Sequence, residues 1–219
     1  MSDRPTEMAQ FFNERADGYE GHMRSFVSDL YDVISTPIST TNEPISILDL
    51  GCGTGLEFEA VFARAPNALI TGVDVSEEML SRLREKYQAR ISQIRLIHGS
   101  FEQVLSSKDE YDYVLSVMAL HHLLSALKGK LYRKVRKSLR TGGKYVEGDY
   151  VVSKREERKF LSGYHKTTEE YQLSPNKVYH IDVPCSIKIQ VELLSKAGFK
   201  KVRTIWKKKK AAIFVAEAS

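Results

Sequence analysis

The chain has 219 residues, 42% of them hydrophobic, enough to bury one sizeable core and within the range of a single α/β domain. Two cysteines, Cys52 and Cys185, are too few and too isolated for a disulfide framework or a cysteine zinc site, and no apolar stretch approaches a membrane span. The N-terminus carries Arg4, Glu7, Glu14, Arg15 and Asp17 in place of a signal-peptide core, so a cytoplasmic protein is expected, and the net charge of +5 invites an anionic partner without establishing one.

Residues 1–43 contain two amphipathic stretches, one around Phe11 and Phe12 and one through Phe26, Leu30 and Ile34, predicting two helices broken near Gly18. From residue 44 the pattern alternates strand and helix, which predicts a mostly parallel sheet covered on both faces. Strands are expected at 45–50, 68–74, 93–98, 112–117 and 143–149, followed by a closing pair at 200–205 and 211–216. Helices are expected at 56–64, 76–88, 125–138 and 187–197, the second capped by Ser76 and the last ended by Gly198. The basic excess is concentrated at Lys200, Lys201, Arg203 and Lys207 to Lys210, where lysines on an edge hairpin discourage pairing with other chains. An anionic substrate or RNA contact is the alternative for that cluster.

The first strand ends in Asp49-Leu50-Gly51-Cys52-Gly53-Thr54-Gly55, an acid followed by a glycine-dense turn into a helix beginning with Leu56. Glycines there let backbone amides approach a ligand that a Cβ would push away. A dinucleotide fingerprint would place its third glycine at Leu56, and here that glycine comes one residue early. The second strand ends in Asp74, an acid positioned to accept hydrogen bonds from ribose hydroxyls.

These segments, with Gly72-Val73-Asp74-Val75-Ser76, Tyr111 to Ser116 and Leu139 to Lys144, resemble the class I S-adenosylmethionine-dependent methyltransferases over about Pro44 to Glu217. The resemblance implies a Rossmann-like doubly wound α/β fold of seven strands in the order 3-2-1-4-5-7-6, strand seven antiparallel, with an N-terminal helical cap. It divides a single 1–219 domain into the cap (1–43), a cofactor core (44–149), a substrate-covering insertion (150–187) and a C-terminal helix and strand pair (188–219). It implies S-adenosyl-L-methionine as cofactor and S-adenosyl-L-homocysteine as product.

By the same resemblance Asp49 faces the donor's amino group, Gly51, Cys52, Gly53, Gly55 and Leu56 form the loop, and Asp74 holds the ribose. Val75, Met79, Ser100 and Phe101 surround the adenine, and Val117 and Met118 flank the methyl donor. Many relatives carry Asp where this chain has Ser100, and a hydroxyl is a weaker acceptor for the adenine amino group. Tyr19 either approaches the methyl donor or packs against the sheet edge.

Acceptor chemistry is less constrained. His121 and His122 suit a general base by their ordinary pKa, with structural and cofactor-contact roles as alternatives, and His165, His180, Asp149 and Tyr19 are further candidates. No His, Asp or Glu group shows metal-ligand spacing along the chain. The insertion offers Tyr150, Tyr164, His165, Tyr171, Tyr179, His180 and Asp182, of which fewer than half are expected to touch substrate, while Glu156 to Lys159 read as a solvated helix face. After strand four the chain has Ser116-Val117-Met118-Ala119, lacking the Asn/Asp-Pro-Pro-aromatic signature of amino-directed nucleic-acid methyltransferases. The expected activity is methyl transfer to a small molecule at O, N or C. The alternatives are an RNA-directed methyltransferase, a catalytically inactive S-adenosylmethionine-binding protein, and a nicotinamide-dependent oxidoreductase on a similar sheet.

Overall fold

The computed structural model of the protein describes residues 4–101, 105 and 109–218; residues 1–3, 102–104, 106–108 and 219, including both ends of the expected domain, lie outside the described residues. In chain order the elements are α1 (Met8–Asn13), α2 (Tyr19–Val33), β1 (Ser46–Leu50), α3 (Phe58–Arg64), β2 (Leu69–Asp74), α4 (Glu77–Lys86) and β3 (Ile94–His98). They continue as β4 (Tyr111–Val117), α5 (Ser125–Ser138), β5 (Leu139–Tyr150), α6 (Lys154–Glu170), α7 (Ile187–Lys196), β6 (Lys200–Lys208) and β7 (Ala211–Glu217).

The strands form one seven-stranded sheet in the order β3-β2-β1-β4-β5-β7-β6, parallel through β5, with β7 antiparallel to both neighbours. The expected topology is present. Two apolar layers sandwich the sheet, as expected when both faces are covered. One joins Leu30 and Ile34, Phe58 and Val61, and Leu80 and Leu83 to Ile47 and Leu115. The other joins Leu131, Tyr132, Val135 and Leu194 to Leu48, Val114 and Phe214.

Local chemistry sets several element ends. Ser76 caps α4 by accepting from the Met79 amide at 3.2 Å, with Glu77 and Glu78 in the first turn and Arg84 and Lys86 in the last, each charge suited to its end of the dipole. Ser153 and Glu156 form a reciprocal capping box that starts α6, so the Glu156 to Lys159 stretch is helical. Gly18 sits in the left-handed region (φ +75°) and turns the chain between α1 and α2 where the break was expected. β5 extends four residues earlier than expected because Leu139 already pairs with Tyr111. The helix after the glycine loop begins at Phe58, two residues late, because the loop first closes a turn from the Gly55 amide to the Cys52 carbonyl (2.8 Å).

Among the described residues no helix is long and apolar enough to cross a membrane. β6 is the outer edge of the sheet and carries Lys200, Lys201, Lys207 and Lys208, with Lys201 on Glu217 at 2.7 Å and Lys208 paired to Asp29.

Candidate functional site

The sheet order reverses between β1 and β4, and in open α/β sheets the crevice beyond the strand tips at that point is the place for a ligand. Both tips end in tight turns here. After β1, Gly51, Gly53 and Gly55 all have positive φ (+80°, +49° and +69°). Gly51 is also sterically closed: a Cβ there would lie 2.5 Å from the Ala119 Cβ and 3.8 Å from the Phe101 ring, so three strand-end turns converge on one residue. After β4, Met118 adopts φ +51°, uncommon for a residue with a Cβ, and donates its amide to the Gly148 carbonyl at 2.8 Å. Such backbone is held by its surroundings and gathers at functional sites.

Asp49 is fully buried at the tip of β1, and neither of its carboxyl oxygens has a hydrogen-bond partner. Burial pushes it up to about 6, with Asp74 adding in the same direction and the neighbouring Glu57 opposing. Glu57, buried in the turn ahead of α3, is pushed well above the carboxylate range by burial and by Asp49 beside it. Two carboxyls this close do not both ionise at low cost.

Asp74 is better satisfied. Its Oδ2 accepts from the Gly53 amide and its Oδ1 from the Ser76 amide, each at 2.9 Å, so the tip of β2 secures the glycine loop. Each oxygen retains a lone pair for a further donor. Ser76 Oγ in turn donates to Asn13 Oδ1 at 2.7 Å, fastening α1 over α4. Cys52 packs its side chain beneath Gly72, where a Cβ would meet the sulfur at 2.8 Å, so it offers the loop only backbone. Leu56 and Met79 are buried, Val75 and Phe101 half-buried, and Ser100 exposed at the turn after β3.

The cap closes this crevice. Tyr19 lies 3.9 Å from the position of a Cβ on Gly53, its ring meets Phe12 edge-on at 6.0 Å, and it packs against the apolar layer of Met23 and Leu83, so it covers the glycine loop. Burial and the nearby Asp74, Glu57 and Glu20 carboxyls push its hydroxyl well up. Phe12 also meets His122 (6.3 Å) and His180 (5.8 Å), and Phe11 stacks on His180 at 3.4 Å.

From there a second group begins. His121 and His122 are buried in the short turn after β4, ring centroids 4.0 Å apart, with His180 4.6 Å from His122. His121 Nδ1 is 2.7 Å from Asp149 Oδ1, and His122 Nδ1 is 3.2 Å from Asp182 Oδ1. Burial and the neighbouring His121 lower the His122 pKa, and burial pushes His180 down to about 4. Folding thus gathers three histidines and two acids that are scattered along the chain.

Beneath His121 runs a buried polar network. Lys128, fully buried on α5, lies 3.6 Å from Asp149 Oδ2 and 3.9 Å from Glu147 Oε1. Burial works against ionisation of Asp149, but His121 and Lys128 outweigh it and bring the group down to about 2. Glu147 accepts from Tyr132 at 2.8 Å and Tyr145 at 2.9 Å, and burial pushes it up to about 7. Sequence reasoning missed Lys128, although its position on the stripe of Leu131, Tyr132 and Val135 is a signal, since a charge on an apolar face demands a buried partner. Glu57 had no such signal.

A cavity of about 610 Å³ opens beside the histidines, between α6 and residues 180–182, lined by Lys159, Phe160, Tyr164, Thr167, His180 and Asp182 among others. Of the insertion residues singled out above, Tyr164, His180 and Asp182 face it. His165 is exposed and lines a second cavity of about 470 Å³ with Leu173 and Tyr179, and Tyr150 instead meets His121 (5.9 Å) and Phe160 (6.0 Å).

The loop fits an S-adenosylmethionine-type ligand. A buried carboxyl without a donor calls for one, and at Gly53 the atom nearest to the position of a Cβ is on Tyr19 at 3.9 Å, which leaves room beside the backbone of the turn. Residues 47–143 match the family described as methyltransferase domain. The carboxy-S-adenosyl-L-methionine synthase of Wolinella succinogenes is 27% identical, covering 94% of this chain and 92% of that protein. Malonyl-[acyl-carrier protein] O-methyltransferase of Priestia megaterium is 30% identical over 57% of this chain, and the chain spans 46% of its length. The structure of human N-acetylserotonin methyltransferase in complex with S-adenosylmethionine shares the fold at a TM-score of 0.66 and 16% identity, covering 95% of this chain and 56% of that one.

Proposed function

We propose that this chain, which belongs to the class I S-adenosylmethionine-dependent methyltransferases, transfers a methyl group to a small-molecule acceptor seated in the cavity under α6. The observation that carries the reading is Asp49, a buried carboxyl with two free oxygens at the tip of β1 beside a glycine turn.

Bound S-adenosylmethionine supplies an electrophilic methyl on a sulfonium sulfur. Asp49 receives its amino group, Asp74 the ribose hydroxyls, and Val75, Met79, Ser100 and Phe101 its adenine, while Tyr19 covers the loop. Val117 and Met118 hold the backbone edge of the crevice, and Cys52 and Leu56 support the loop from below. These residues act chiefly by fixing orientation and excluding water, an effect worth on the order of 7–11 kcal/mol in favourable cases. Residues 1–43 serve as a cap over the donor and 150–187 as the cover of the acceptor. Lys159, Tyr164 and Asp182 give the cover both charges and a hydroxyl, suited to a polar acceptor. The free, buried Cys52 and Cys185 fit a cytoplasmic setting.

Calorimetric titration with S-adenosylmethionine, S-adenosylhomocysteine and NAD tests the cofactor, with binding of the first two and none of the third expected. Tight NAD binding without response to the others would overturn the assignment. Incubation with methyl-labelled donor and a cell extract tests the acceptor: label should appear in the acid-soluble fraction, whereas label in precipitable RNA would favour the nucleic-acid alternative. No labelled acceptor at all would favour a binding-only role. The nearly full-length similarity to a carboxy-S-adenosylmethionine synthase supports a second reading, carboxylation of the cofactor itself. Mass analysis of nucleotide released from purified protein separates the two, because replacing one methyl hydrogen of S-adenosylmethionine by a carboxyl group adds the mass of carbon dioxide.

A further inference from the structure

Asp182, which lines the cavity under α6, meets the buried His121 and His122 behind it. One ligand-type atom from each lies within 4.8 Å of the others. Asp182 Oδ1 stands 3.2 Å from His122 Nδ1 and 3.9 Å from His121 Nε2. Two donors at about 2.0–2.1 Å from a tetrahedral ion lie roughly 3.3 Å apart, so these separations suit a shared ion with small adjustments.

The lone pairs also point to a cation. His122 Nδ1 is sealed from solvent and makes no aligned hydrogen bond, although Asp182 is near. On His121 the other nitrogen, Nδ1, is taken by Asp149 at 2.7 Å, and Asp149 is itself braced by Lys128 at 3.6 Å. A carboxylate on one ring nitrogen fixes the tautomer that leaves the opposite nitrogen free to ligate, and this is the arrangement found behind metal-binding histidines. The Val183 amide donates to the His121 carbonyl at 2.7 Å, locking the Asp182 segment against the histidine turn.

We propose that His121, His122 and Asp182 form a three-ligand site for a divalent first-row transition ion of the zinc type, with its open position toward the cavity. Two imidazoles and one carboxylate favour such an ion over magnesium, which prefers oxygen ligands and retains its waters. Asp182 belongs to both the ligand set and the cavity lining, so the open position is where an acceptor oxygen or nitrogen would bind. There the ion would polarise that atom. This last point rests on the methyl-transfer reading; the binding site itself does not.

The test uses the untagged full chain after chelator treatment, without cofactor or acceptor, so its outcome is independent of methyl transfer. Calorimetry with zinc chloride should give one equivalent, cobalt chloride should give visible absorption bands of a nitrogen-and-oxygen site, and magnesium chloride should give no heat of binding. His122→Ala and Asp182→Ala should each weaken zinc binding at least about tenfold, and the positioning variant Asp149→Asn about 10–100-fold. Should Asp149→Asn fail to fold, Asp182→Ala still decides, since that side chain is 37% exposed. Absence of stoichiometric zinc binding, or wild-type affinity in both His122→Ala and Asp182→Ala, would overturn the proposal.

Discussion

The Asp74 carboxylate grips the glycine loop directly: its Oδ2 accepts the Gly53 amide at 2.9 Å. The same residue therefore shapes the donor crevice and is assigned to bind the ribose. Asp74→Ala should weaken S-adenosylmethionine binding at least about tenfold, since hydrogen bonds to a charged group contribute roughly 1.5–3 kcal/mol. Asp74→Asn, which keeps an acceptor for Gly53, should fall between. An unchanged dissociation constant in Asp74→Ala would show that the ribose is held elsewhere.

Asp49 makes cofactor binding depend on pH. Its folded pKa is raised from 3.8 to about 6, so the fold favours the protonated form. The stabilisation from that protonation is complete below about pH 4 and disappears as pH rises through about 6. Without ligand the protein should thus lose stability over this window, as followed by chemical denaturation. Cofactor affinity should move the opposite way, rising close to tenfold from pH 5 to pH 7, because the donor's amino group needs the ionised carboxylate. Glu57→Ala should move the rise in affinity to higher pH, because it removes the neighbour that opposes the upward shift of Asp49, and a profile unmoved from the wild type would refute the coupling.

Tyr19 is assigned a covering role through its ring. Tyr19→Phe should bind cofactor within about twofold of the wild type, whereas Tyr19→Ala should bind several-fold more weakly, given the roughly 150–250 Å² an aromatic side chain can bury. Equal losses in both variants, measured by calorimetry, would instead place the binding contribution on the hydroxyl.

Lys128 is buried against Asp149 and Glu147, and removing one partner leaves uncompensated charge. Lys128→Met should lower unfolding stability by about 3–5 kcal/mol. Lys128→Met with Glu147→Gln should recover part of the loss, and a double variant no more stable than the single would argue that Asp149 alone depends on the lysine.

Lys128 also illustrates what a sequence can carry. The fold was legible because its signals are local: apolar runs ending in Asp49 and Asp74, a cap at Ser76, a turn at Gly18, all dictated by residues within a few positions of each other. The glycine turn after β1 was legible for the same reason. Lys128 advertised itself as a charge on an apolar stripe, but its partners reside on β5, and only tertiary packing brings them near. Asp182 was visible as one polar residue among several in the insertion. Its place against His121 and His122 depends on a backbone contact between segments some 60 residues apart, which no periodicity encodes. Glu57 lay only eight positions from Asp49, yet the turn that faces the two carboxyls toward one another follows from left-handed backbone at the glycines, and residue type alone does not reveal it.

The N-terminal segment and the insertion are stitched together edge to edge. Glu7 and Tyr179 form an antiparallel bridge, the Met8 amide donates to the Val178 carbonyl at 2.9 Å, and the His180 amide donates to the Thr6 carbonyl at 3.0 Å. One continuous wall thus joins the segment that carries Phe11 and Phe12 to the segment that carries His180 and Asp182. A displacement of residues 6–8 would therefore strain residues 178–180 as well, since the two strips share their backbone hydrogen bonds.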